Sequence, residues 1–401
     1  MRIHLFNPDH DLALASGQHN YTSPASARVF MHNLATLSYW LAEDGEGLWL
    51  EDEEHVDFVQ RLNAGFDRRV HPITPTLLPG MEVDAILPWG WNPALCKHLA
   101  GKGFALWLLP AYTLLAKYRH FAHRQQAVRL LPSLRLNEHF CGRSVLLTDV
   151  TSCHAFVRSQ IPCLLKAPLS GSGKGINRCR GVFTPSLEGW CKRLVHNQGG
   201  VVGEPLYDKV ADFAMEFRWE QGQDLAFVGY SLFDTDAGGS YMGSTLASDA
   251  DIEHRLSAWV EVQQLRNLRT ELLQRLPQLL GDGYRGFLGV DMMICRFDTS
   301  PTYRIHPCVE INLRTNMGIV AHRLTERLLP PGSRGRFAID FHPQPGEALA
   351  RHRQLEAEHP LVLNANRVQS GYLALNPVNE DTRYRAWMLV EEADKAQRGD
   401  S

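Results

Sequence analysis

Several function classes are excluded by what the chain does not contain. No apolar run approaches the roughly 18 residues that a membrane span requires. The opening MRIHLFNP passes straight into a strand-like segment with no secretory pattern, so a cytoplasmic location is expected. Basic and acidic residues nearly cancel, 41 against 44, for a formal charge of −3, which gives no electrostatic case for nucleic acid or an anionic membrane. The eight cysteines include no C-x-x-C pair, which argues against a zinc ribbon and suits reduced packing residues. Neither an internal repeat nor a low-complexity segment is visible. A P-loop is also absent, because Gly175 stands after Gly173-Lys174, where that motif places a Ser or Thr hydroxyl for Mg²⁺.

What is present suits a large α/β enzyme. At 401 residues the chain exceeds what one core organises, so two or three domains are expected. Strand and helix patterns alternate over residues 1–110 and predict a largely parallel sheet, with strands at 3–6 and 84–88 and a helix starting after Ser23-Pro24. Residues 111–129 read as a basic helix carrying Lys117, Arg119, His120, His123 and Arg124. Residues 253–280 read as an amphipathic helix with an apolar, core-facing stripe. After PPGSRG, three strand candidates at 336–341, 369–375 and 384–390 form either a small β-rich appendage or an addition to an existing sheet.

Two stretches carry the chemistry. In LLKAPLSGSGKGI (164–176), Lys166 closes an apolar run, and Ser170, Gly171, Ser172 and Gly173 make a flexible loop that presents Lys174. In GYRGFLGVDMMICRFDTSPTYRIHPCVEINLRTNMG (283–318), Glu310 and Asn312 are two apart on a strand and share a face, with Asp291 on the neighbouring antiparallel strand and the turn near 298–301. Backbone amides and lysines neutralise phosphate oxygens, and hard oxygen ligands hold the Mg²⁺ that bridges them, so together the two stretches suit a Mg-nucleotide. Taken alone, the loop also fits a surface hairpin, and the acidic cluster also fits salt bridges to Arg296 or Arg304.

The order and content of these pieces, over residues 111–323, resemble the ATP-grasp superfamily of ATP-dependent ligases, which form an acyl-phosphate and pass the acyl group to an amine or thiol. The resemblance implies an ATP-grasp fold of α/β and α+β character, with an N-terminal α/β (pre-ATP-grasp) domain at 1–110. The ATP-grasp domain would span 111–330, with subdomains near 111–198 and 199–330, and a short C-terminal β-rich extension would occupy 331–401. It implies ATP with one or two Mg²⁺, or Mn²⁺ in their place, held by Asp291, Glu310 and Asn312. Lys117 would be a first phosphate lysine, followed by Lys166 and by Lys174 as a catalytic residue.

The segment GGVVGEPLYDKVADFAMEF (199–217) looks like the family's hinge, with Glu204 toward the adenine edge and Asp212 toward the ribose; the competing reading pairs Asp212 with Lys209. Glu310-x-Asn312-x-Arg314 is similar to the carboxylase and carbamoyl-phosphate-type pattern. The arginine that D-alanine:D-alanine-type ligases place two residues before the acidic ligand is Gly289 here, so Arg314 takes the catalytic role and Arg285 a structural one.

Substrate candidates are Asn7, Asp9, His10 and Asp11 after the first strand, Trp89, Trp91 and Asn92 after the second, and Ser240 and Tyr241 in a glycine-rich loop at 232–245. His10 reads as a helix cap in preference to a base. The implied activity is carboxylate–amine or carboxylate–thiol ligation on small-molecule or peptide-like substrates. A small-molecule kinase and a nucleotide-binding protein without turnover are the alternatives, and self-association is left open.

Overall fold

The computed structural model describes residues 1–171, 175–236 and 238–391. Near the N-terminus, β1 (Arg2–Leu5), β2 (Gly47–Trp49), β3 (His71–Ile73) and β4 (Ala85–Pro88) form a parallel sheet in the order β3-β2-β1-β4. Parallel strands are covered on both faces, and Ile3, Leu5, Trp49, Ile73 and Ile86 accordingly pack with Leu95, Leu99 and Phe104 from the flanking connections.

A second sheet of β5 (Val145–Leu147), β6 (Cys163–Lys166), β7 (Ile176–Cys179) and β8 (Val201–Pro205) runs antiparallel in the order β5-β8-β6-β7. Helices Val150–Ser159 and Pro185–Gln198 bury Phe156, Val157 and Cys191 against it. The first of these starts on an Asp149–Ser152 capping box, and the second on a Thr184 cap with Pro185 at its first position.

The largest sheet has nine antiparallel strands. They are β9 (Asp208–Trp219), β10 (Ala226–Thr235), β11 (Tyr241–Leu246), β12 (Gly286–Arg296), β13 (Tyr303–Asn312), β14 (Gly335–Phe341), β15 (Val362–Asn364), β16 (Arg367–Ala374) and β17 (Tyr384–Val390), in the order β13-β12-β9-β10-β11-β14-β17-β16-β15. The three C-terminal strand candidates thus add to an existing sheet, and Phe337, Val368 and Met388 share a core with Leu37, Trp40 and Leu48 from the N-terminal region.

Two expected helices are each broken in two. The basic one runs Tyr112–Ala122 and resumes at Gln125–Leu134, leaving His123 and Arg124 between. The amphipathic one runs Asp249–Leu256 and Val262–Leu280, its stripe buried through Leu265, Leu268, Leu272 and Leu276. The glycine-rich stretch expected as a loop is instead mostly the β10–β11 hairpin. All eight cysteines are buried and reduced, and among the described residues no helix is long and apolar enough to cross a membrane.

Candidate active site

A cleft of about 530 Å³ opens between the four-stranded antiparallel sheet and the β13-β12-β9-β10 end of the large sheet, with Pro8, Asp11 and Trp89 of the N-terminal region along one side. Lys166, the last residue of β6, is buried in its wall, and its Nζ lies 2.5 Å from Glu204 Oε2 on β8. Burial alone raises the Glu204 carboxyl, but the Lys166 ammonium and a 3.2 Å hydrogen bond from Ser144 Oγ outweigh it and hold it below the usual carboxylate value. Ser170 and Gly171 line the same wall. Ser172, Gly173 and Lys174 lie outside the described residues.

The opposite wall holds the acidic cluster. Asp291 on β12 sits directly across from Glu310 on β13, and Asn312 is two residues further along, opposite Gly289. The turn between the strands closes with a 2.7 Å hydrogen bond from the Phe297 amide to the Thr302 carbonyl, where the sequence placed it. Burial, followed by the Glu310 charge, raises Asp291 to about 7. Two carboxylates and an amide oxygen on one face, one of them reluctant to ionise unaided, suit a hard divalent cation with waters and phosphates completing its shell. Neither Arg296 nor Arg304 satisfies the cluster: Arg296 pairs with Asp208, and Arg304 bonds Thr299.

Arg314 projects onto this face. Its Nη2 donates to Asn312 Oδ1 at 3.2 Å, and its Nε and Nη2 grip Asp11 at 2.9 and 2.7 Å. Burial would lower the guanidinium, but Asp11 more than compensates and raises it; the same pair, against burial, holds the Asp11 carboxyl low. Asp212 also lines the cleft, where it pairs with Lys209, as the competing reading had it, and accepts a 2.8 Å bond from Thr235 Oγ1.

Other candidates lie elsewhere. Lys117 faces Gly281, Asp282 and Gly283 in a separate surface groove, because the turn of helix that carries it points away from the cleft. The cation of this segment that reaches the cleft is Arg124, turned inward where the helix breaks: it donates to the Ala167 carbonyl, to Ser170 Oγ at 2.7 Å and to Glu310 Oε2 at 2.7 Å. A charged residue just before a helix restart was the available signal.

Asn7 is engaged by the Gly90 backbone in both directions, at 2.8 and 3.3 Å. Asp9 accepts from Ser23 at 2.5 Å. His10 packs its ring on Gly90, and burial drives it down to about 4; it begins its helix without capping it. Trp91 borders a different cavity, and the Ser240 amide is tied to Asp236 at 2.8 Å. Of the nine substrate candidates, Asp11, Trp89 and Tyr241 line the cleft. Glu216, missed in the sequence, also lines it. The alternation Asp212, Ala214, Glu216 along β9 puts all three on the cleft side.

The arrangement defines the class: the chain has the ATP-grasp fold. Similar solved structures include a biotin carboxylase from Campylobacter jejuni in a β-γ-ATP complex, at 10% identity over 98% of this chain and 87% of that one, with a TM-score of 0.51. An N5-carboxyaminoimidazole ribonucleotide synthetase from Thermus thermophilus matches at 12% identity over 99% and 95%, with a TM-score of 0.50. An N5-carboxyaminoimidazole synthetase from Staphylococcus aureus matches at 10% over 98% and 93%, also at 0.50. No family model and no curated protein matches the chain.

Proposed function

We propose that the chain is an ATP-dependent ligase that joins a carboxylate to an amine or thiol through an acyl-phosphate. The observation that carries this reading is a single cleft with Lys166, Ser170 and Gly171 on one wall and Asp291, Glu310, Asn312 and Arg314 on the other. The three oxygen ligands would hold Mg²⁺, or Mn²⁺, which supplies charge neutralisation at the phosphates.

Lys166, paired with Glu204, and Arg124, bonded to Ser170, stand on the wall assigned to the nucleotide phosphates. Asp212, on the cleft wall beside Thr235, suits the ribose hydroxyls. Arg314, held rigid by Asp11, is aimed beside Asn312 to receive the transferring phosphoryl group and the charge that develops on the acyl-phosphate. Positioning and charge neutralisation supply most of the barrier reduction in such transfers. The similar biotin carboxylase structure is a complex with a β-γ-ATP ligand, which agrees with this reading.

The test is release of ADP and free phosphate by the purified chain with Mg²⁺, ATP and a panel of carboxylates, amino acids, amines and thiols. A ligase releases both products only with a matched pair. ADP accompanied by a phosphorylated product instead identifies a kinase, and no release across the panel identifies a nucleotide-binding protein without turnover.

A further inference from the structure

Nucleotide and metal binding leave one buried acid of the cleft without a task. Glu216 on β9 is 1% exposed and lies across from Gly289 of β12. Its carboxyl occupies a cradle made by two glycines: a Cβ on Gly289 would collide with Oε2, and a Cβ on Gly318 would collide with Oε1. Any other residue at either position would displace it. Oε2 accepts from Asn316 Nδ2 at 2.7 Å, whereas Oε1 takes no hydrogen bond among the described residues.

Ser231 Oγ on β10 is buried without a partner among the described residues, and it lies 2.9 Å from the same Gly318 point that Oε1 approaches. Glu216 Oε1 and Ser231 Oγ thus face one point without bonding each other, and each has a lone pair free to accept from a group carrying several N–H bonds. Along the same cleft stand Phe30, Trp89, Phe233, Tyr241 and Met317, an apolar and aromatic surround for the body of such a ligand.

We propose that Glu216 and Ser231 form the subsite for the acceptor's amino group, that the acceptor is a primary amine on an apolar or aromatic body, and that Glu216 takes its surplus proton. The inference rests on the ligase reading and selects amine over thiol. The ammonium passes one N–H proton to Glu216 Oε1, and the freed lone pair attacks the acyl carbon. The C–N bond forms, the C–O bond to the phosphoryl group breaks with its electron pair on oxygen, and the second N–H proton departs with the phosphate.

The local electrostatics agree. Burial raises Glu216 to about 8; Asp291 adds to this, while Asn316 and Arg314, the other polar and charged groups acting on it, oppose it. That narrows the gap to an alkylammonium from about six units to about two, so the proton transfer is close to balanced.

Calorimetry on the full chain saturated with MgADP tests this with phenethylamine and its uncharged analogue 2-phenylethanol. The amine should bind about tenfold tighter or better, and at pH 7 its binding should displace the Glu216 proton, read as a dependence of the heat on the ionisation enthalpy of the buffer. Glu216→Gln should abolish both the preference and the buffer dependence, with MgADP affinity as the control. Equal affinity for the two probes in the wild-type chain overturns the subsite, as does a preference that survives in Glu216→Gln. Should that variant not fold, Ser231→Ala must weaken the amine severalfold and the alcohol less, or the subsite falls. Failure of MgADP to bind overturns the ligase reading and this inference with it, whereas MgADP binding without an amine preference overturns the subsite alone.

Discussion

Arg124 holds Glu310 at 2.7 Å across the cleft, a cation paired with one of the three oxygen ligands proposed for Mg²⁺. The same guanidinium reaches the Ala167 carbonyl and Ser170 Oγ, so it ties the wall of Lys166 to the wall of the acidic cluster. Arg124→Ala should therefore weaken MgATP and lower Tm by a few degrees, since it leaves the partly exposed Glu310 carboxylate without its cation. Mg²⁺ supplies a replacement charge for Glu310, so added Mg²⁺ should recover more Tm in the variant than in the wild type. A Tm deficit that Mg²⁺ does not reduce would separate Arg124 from the metal site.

Lys166 and Lys174 are distinguished by their expected costs to the fold. MgATP should raise Tm of the wild type by linkage, and each alanine variant should shrink that shift. Lys166→Ala additionally strands the Glu204 carboxylate in a buried site, with a stability loss of about 3–5 kcal/mol that the double variant with Glu204→Gln largely restores. Unchanged nucleotide affinity in both single variants would remove the phosphate assignment.

Glu310→Gln keeps the shape of the metal wall and removes one charge from it. Turnover should collapse while circular dichroism and Tm stay within a few degrees of wild type. Unfolding of the variant would mean that the Arg124–Glu310 pair, and not metal binding, is the main reason for the acid.

Much of this site was legible because a strand has a period of two. Glu310 and Asn312 had to share a face whatever the tertiary structure, and Asp291 followed from the short turn between the strands. Lys166 was legible for the same reason, at the end of an apolar run. Which arginine or lysine of the 111–129 segment enters the cleft was not, because a helix break at His123–Arg124 rotates the choice from Lys117 to Arg124 and leaves no mark in the periodicity. The Asp11–Arg314 grip joins residues 303 apart in sequence, a contact no local pattern encodes. The strands after 335 were legible as strands, but their partner was not: an exposed edge at β11 decides that they extend the large sheet. The polar groups after β1 looked like ligand-binding residues, yet Asn7 and Asp9 are consumed by Gly90 and Ser23.

Glu216 gives the ligand-free protein a distinctive pH dependence. Its folded pKa of about 8 lies above the unfolded value of about 4.3, so the folded state binds the extra proton more tightly. The stabilisation is fully present below the unfolded value and is lost as pH rises through about 8. Tm should therefore fall between about pH 5 and pH 8 more steeply in the wild type than in Glu216→Gln. Parallel Tm profiles for the two proteins would show that the carboxyl is not held protonated.

Arg314 and Arg285 differ in that Arg285 precedes β12 and Arg314 follows β13, and only Arg314 faces the cleft. Arg285 stacks over Trp219 with its guanidinium 3.9 Å from the ring centroid and donates to the Gly281 and Tyr284 carbonyls, which is a structural set of contacts. Arg314 instead spans Asp11 and Asn312 on the active-site face. A lysine offers a single point of charge, so Arg314→Lys cannot both keep the two-pronged grip on Asp11 and present parallel donors to a phosphoryl group. Once a substrate pair is found, Arg314→Lys should retain MgATP affinity within a few-fold and lose kcat by about a hundredfold or more, as expected when a donor made only in the transition state is removed. Arg285→Lys should leave kcat within about twofold and lower Tm, through loss of the stacked contact on Trp219. The reverse pattern, rate lost at Arg285 and kept at Arg314, would leave phosphoryl transfer to the lysines and the metal and reduce Arg314 to a tether for the N-terminal region.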